Sequence, residues 1–144
     1  MRILAIEIQS TNAVMLIIDG NKNNFIIENL GKALSIPAKD PTIKSILDFQ
    51  INFEMFLQNK KIDKVVLCEG GKDSKKLRIR MEYAILSECE KCEVTYISFS
   101  SGACTKLINK FLEQTNKNFE DELARFNLPK YMGKSFIAGW RYLD

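Results

Sequence analysis

Two glutamates carry the strongest chemical signal in this chain. Glu7 stands near the end of the apolar, β-branched run Ile3–Ile8, and Glu69 closes the run Lys64-Val65-Val66-Leu67-Cys68-Glu69. Carboxylates that folding brings together repel, and both stay ionised at little cost only beside a cation. The chain contains no histidine. That rules out Ser–His and Cys–His catalysis and every imidazole-ligated metal site. Oxygen ligands alone suit Mg²⁺ or Mn²⁺, and two such ions about 4 Å apart can activate water and stabilise the leaving oxygen of a phosphodiester. The plain alternative is two solvent-facing side chains. Glu7 lies between Ile6 and Ile8, as in/out alternation on a strand produces.

Cations cluster immediately after Glu69. Between Gly70 and Arg80 stand Lys72, Lys75, Lys76, Arg78 and Arg80, against the single acid Asp73. A Gly-Gly hinge followed by clustered positive charge can hold a phosphate backbone beside the carboxylates. A solvated loop and an exposed helix face explain the same residues equally well. Contacts of this kind give affinity without sequence preference. Over the whole chain, 21 basic and 18 acidic residues leave a net charge of only +3. The placement of charge therefore says more than its sum.

The four cysteines are Cys68, Cys89, Cys92 and Cys104. Cys89-Glu90-Lys91-Cys92 is formally C-x-x-C, but no second such pair and no histidine pair completes a zinc site. The motif closes a helix rather than opening one, so helix-end thiols are the preferred reading. Glu120, Asp121 and Glu122 read as acids on a solvated helix face. Trp140 shares a helical face with Phe136 and Ile137 and reads as core, and a lone Tyr142 is weak support for base stacking.

The elements that must position these residues follow from periodicity. Ile3–Ile8, Ala13–Ile18 and Phe25–Glu28 are three closely spaced strands with polar turns, an antiparallel meander. Asp40 is expected to cap a first helix with Pro41 at its first position. Ile43, Ile46, Leu47, Phe53, Phe56 and Leu57 recur there at helical steps. Strand 64–69, a second helix with Leu77, Met81, Ala84, Ile85 and Cys89 on one face, and strand Glu93–Ile97 come next. A third helix capped by Ser100 or Ser101, a short helix from Phe119 to Phe126, and a last helix bearing Phe136, Ile137, Trp140 and Leu143 complete the chain. The order β-β-β-α-β-α-β-α predicts an α/β domain, a mixed sheet covered by helices. At 144 residues, with no apolar run near the roughly 18–20 residues that cross a bilayer, one domain spanning 1–144 is expected. No signal peptide is evident, which makes a cytoplasmic location the expectation.

This order resembles the ribonuclease H-like fold, and particularly its RuvC-like branch: a mixed five-stranded sheet with helices on both faces. The similarity extends over nearly the whole chain, with the run Val65–Glu69, the Gly-rich loop and the helix Lys76–Glu88 most alike. The chain looks similar to a small bacterial family of RuvC-like single domains. The resemblance implies that Glu7 and Glu69 are catalytic metal ligands holding Mg²⁺ or Mn²⁺, although the first-strand acid is usually aspartate. It also implies a nucleic-acid partner, DNA ahead of RNA. Lys72, Lys75, Lys76, Arg78, Arg80 and Lys134 are then the phosphate contacts.

One departure matters. RuvC-like enzymes carry further acids at the start of the last helix, where this chain has Met132-Gly133-Lys134-Ser135. Lys134 has the wrong sign for metal loading. Two functions therefore stand open: a RuvC-like nuclease with a degenerate acidic site, or a non-catalytic nucleic-acid or protein interaction module on the same fold. A homodimer through a sheet edge or the face of the first helix is a further expectation, with no membrane partner.

Overall fold

The computed structural model describes residues 1–36, 42–71 and 73–144. Five strands, β1 (Arg2–Gln9), β2 (Asn12–Asn21), β3 (Asn24–Ser35), β4 (Lys64–Glu69) and β5 (Thr95–Ser100), form one sheet in the order β3-β2-β1-β4-β5. β1 pairs antiparallel with β2, and β2 with β3, while β1–β4 and β4–β5 are parallel. The expected meander followed by a parallel extension is thus present. Strands β2 and β3 run several residues longer than their apolar cores suggest.

The central strands are apolar on both faces because both are covered. One face, bearing Leu4, Ile6, Ile8, Val65 and Leu67, packs against α1 (Ile43–Lys60) and α2 (Lys76–Lys91). The other, bearing Ile3, Ala5, Val66 and Cys68, packs against α3 (Ser101–Thr115), α4 (Phe119–Arg125) and α5 (Gly133–Arg141). No described helix is long and apolar enough to cross a membrane.

Caps fix where the helices begin. Thr42 caps α1, its hydroxyl accepting from the Ser45 N–H at 3.1 Å, and the Ser45 side chain reciprocates. That replaces the expected cap at Asp40, which with Pro41 lies outside the described residues. Ser100 caps α3 by accepting from Ala103 N–H, and Asn118 caps α4 by accepting from Asp121 N–H. On α1, Ile43, Leu47, Ile51 and Met55 recur every fourth residue and are all exposed, an apolar stripe on the face named for a dimer.

The last helix lies close against the sheet. Gly139 is the point of contact, since a Cβ there would stand 2.8 Å from Ile18 Cδ1 and 3.2 Å from Ala5 Cβ. Gly139→Val is therefore expected to overpack the interface and cost roughly 1–3 kcal/mol, read as a lower urea midpoint at unchanged m-value. Trp140 is buried, as its spacing with Phe136 predicts.

Candidate functional site

The carboxyl ends of β1 and β4 and the amino ends of α3 and α5 meet in one place. Glu7, one residue pair from the end of β1, is only 6% exposed. Its Oε1 accepts from Gln9 Nε2 at 2.5 Å, and the same Gln9 amide donates to the Tyr131 carbonyl at 2.7 Å. Gln9 thereby ties the acid to the 3₁₀ turn Lys130–Met132 that leads into α5.

Register decides what faces Glu7. In the parallel pair, Glu7 lies opposite Cys68, just as Ala5 lies opposite Val66. Both pairs belong to the face covered by α3 and α5. Glu69 is one residue further on, opposite Ser100 of β5. The β1–β4 register thus sets Cys68, and not Glu69, directly beside Glu7, a phase of one residue between the two acids.

Two thiols and a lysine take the remaining places. Cys68 Sγ lies 2.7 Å from Cys104 Sγ, which sits in the first turns of α3, and 3.6 Å from the Lys134 carbonyl. The Lys134 ammonium donates to Ser101 Oγ at 2.5 Å, joining the start of α5 to the start of α3. The Cys68–Cys104 contact, in which either thiol can donate, lowers the Cys104 pKa and holds the Cys68 thiol up. The Glu7 carboxylate raises both thiols and the Lys134 ammonium lowers both, so an anion and a cation border the pair.

This set does not fit a Mg²⁺ or Mn²⁺ pair. Those ions take oxygen ligands, and Glu7 stands among soft sulfur atoms with an ammonium nearby. Ser101, Cys104, Gln9 and Tyr131 were not legible as site residues. The Ser100-Ser101 cap and the level of Cys68 against Glu7 were the signals that pointed there.

A second feature opens on the same end of the molecule. A groove of about 760 Å³ is lined by Ser10, Thr11, Gly71, Asp73, Ser74, Lys75, Leu77 and Arg78. It lies between the two-residue β1–β2 turn and the start of α2. The α2 amino terminus has Lys75 at its cap position with no side-chain hydrogen bond, so its first N–H groups are available to an anion. Lys75, Lys76 and Arg80 are exposed, while Arg78 Nε is paired with Glu82 Oε2 at 3.4 Å. Glu82 Oε2 also accepts from Gly70 N–H at 2.9 Å, latching the hinge onto α2. A Cβ at Gly70 would press on the Ser74 hydroxyl and the Arg78 side chain, which would have to shift. Lys72 lies outside the described residues.

The acids upstream of α5 divide. Glu120 and Asp121 are solvated as expected, but Glu122 is buried and accepts from Arg125 Nη1 at 3.3 Å.

A family model described as "Protein of unknown function (DUF3010)" matches residues 1–102. The chain belongs to this family. Its matched region runs from β1 through β5 into the first residues of α3 and includes Glu7, Cys68 and Glu69. No curated protein matches the sequence. Among solved structures, T. thermophilus RuvC in complex with Holliday junction substrate superposes with a TM-score of 0.69 at 8% identity, over 97% of this chain and 90% of that one. The yeast mitochondrial Holliday junction resolvase Ydc2 gives 0.57 at 14% identity, over 96% and 78%. The fowlpox virus resolvase, solved with Holliday junction DNA, gives 0.53 at 16% identity, over 98% and 97%. At these identities the likeness establishes the fold, so this member of the DUF3010 family has the RuvC-like, ribonuclease H-like architecture.

Proposed function

We propose that the protein binds nucleic acid through its phosphate backbone, at the groove between the β1–β2 turn and the start of α2, and that it does so without cleaving it. The observation that carries this reading is the groove itself, lined by Lys75 and Arg78 at an uncapped helix amino terminus at the carboxyl edge of the sheet, with Lys76 and Arg80 exposed on the adjoining turns of α2. Fixed cations and free N–H groups bind phosphate oxygens regardless of base sequence. Two of the solved proteins of this fold, T. thermophilus RuvC and the fowlpox virus resolvase, are held with Holliday junctions, which makes a branched DNA the first substrate to offer. Support for binding without turnover comes from the register, which sets Cys68 rather than Glu69 directly beside Glu7.

The test is a panel of single-stranded, duplex and four-way junction DNA, incubated with Mg²⁺ and with Mn²⁺. Binding is expected to weaken steeply with salt, and every strand is expected to remain intact. Cleavage that disappears in Glu7→Gln and in Glu69→Gln would instead establish the metal-dependent nuclease implied by the fold resemblance. No binding to any member of the panel would reject both readings.

A further inference from the structure

At the opposite end of the molecule, the last turn of α2 lies beside α1. Glu54 on α1 and Glu88 and Cys92 on α2 each offer a ligand atom, and the three atoms lie within 4.8 Å of one another. Glu88 and Cys92 are four residues apart on one helix and so share a face. Glu54 and Gln58 are likewise four apart on the other, and Glu54, Gln58 and Cys92 line a cleft of about 330 Å³ between the helices.

A second observation points to a ligand there. Glu88 is 6% exposed, and its Oε2 has no hydrogen-bond partner among the described residues. A buried carboxylate oxygen is ordinarily paired, because leaving it unsatisfied carries its full desolvation cost. Among the described residues the cation on the cluster is Lys91, whose ammonium reaches Glu54 Oε2 at 2.9 Å from a side chain that is 63% exposed. It does not bond Glu88, and it is free to swing outward.

We infer that Glu54, Glu88 and Cys92 form a binding site for a borderline-soft divalent cation of the Zn²⁺ class, clamping α1 to α2. Two carboxylates and one thiolate are a donor set for Zn²⁺ rather than Mg²⁺. Bonds of about 2.0–2.3 Å around a tetrahedral ion put ligands roughly 3.5 Å apart, so a small rotamer adjustment closes the set. The fourth position falls in the cleft, open to water or to the Gln58 side-chain carbonyl. The site uses one thiol of the C-x-x-C motif, since Cys89 is buried in the core beneath α2. Of its other ligands, Glu88 immediately precedes the motif and Glu54 comes from α1, far away in sequence, which is why the motif looked incomplete.

In the cleft, burial first and then the two neighbouring acids hold the Cys92 thiol up. Metal binding would displace its proton to solvent and replace it with a metal–sulfur bond.

The full chain, stripped with chelator, is titrated with Co²⁺ alone and then with Zn²⁺. The expected result is a sulfur-to-cobalt charge-transfer absorption at one equivalent, displaced by Zn²⁺, with a rise in the thermal midpoint that chelator reverses. Cys92→Ser abolishes the absorption, and Glu88→Gln weakens affinity by more than about tenfold, the loss typical even of an outer-sphere change. Cys68→Ser and Cys104→Ser leave it intact. Far-UV dichroism confirms folding of each variant. No absorption in the wild-type chain overturns the proposal. So does an absorption that survives Cys92→Ser and vanishes in Cys68→Ser or Cys104→Ser.

Discussion

The double variant Lys75→Glu/Lys76→Glu is expected to lose roughly tenfold to a hundredfold in affinity for DNA at physiological salt. Each phosphate contact contributes a released counterion, and removing two lowers the slope of log K against log salt by about 2. The substitution is chosen for what it does to the fold. Lys75 is the cap position of α2 and Lys76 its first residue, and acids at a helix amino terminus stabilise it against the dipole. Weakened binding then reflects the groove and not unfolding, which a thermal midpoint at or above that of the wild type would verify. Equal affinity and equal salt slope in the variant, measured by fluorescence anisotropy on a four-way junction, would remove the groove from the proposed interface.

Phe136→Ala is expected to cost about 3–5 kcal/mol, as removal of a fully buried ring does. That is a large share of the roughly 5–15 kcal/mol that holds a domain of this size together. Phe136 is completely buried in α5, with ring centroids of Phe25, Phe111, Phe119 and Phe126 at 6.3, 6.1, 5.7 and 6.2 Å. These rings come from β3, α3, α4 and the segment after α4, so one side chain joins four parts of the chain. Equilibrium denaturation measures the cost. A loss under about 1 kcal/mol would mean that the aromatic cluster repacks around the gap.

The fold was legible because its signals are periodic. Leu77, Met81, Ala84, Ile85 and Cys89 could share a face only on a helix, and α2 has them there. The two polar turns early in the chain, between three closely spaced apolar runs, could only make a meander. The phase of Glu7 relative to Glu69 was not legible, and the reason lies in β1 and β4 themselves. Ile3-Leu4-Ala5-Ile6 and Val65-Val66-Leu67-Cys68 are buried on both faces, so their apolar runs contain no alternation from which to count phase. An acid at a strand end is visible; the side to which it turns is not. The partner of Lys134, Ser101, lies 33 residues away in sequence, beyond any local pattern. Glu122 was misjudged because a run of three acids hides which one the helix turns inward.

Three of the four cysteines are buried, and Cys92 alone is partly open. It sits in the cleft between α1 and α2, at the far end of the sheet from the DNA-facing groove proposed above. The wild-type chain therefore carries its own handle for a single thiol-directed fluorophore or spin label, without any cysteine having to be engineered away. Because the Cys92 thiol is held up by burial and by the nearby acids, coupling calls for mildly alkaline buffer. A reporter placed there watches the two helices while the opposite rim is left untouched.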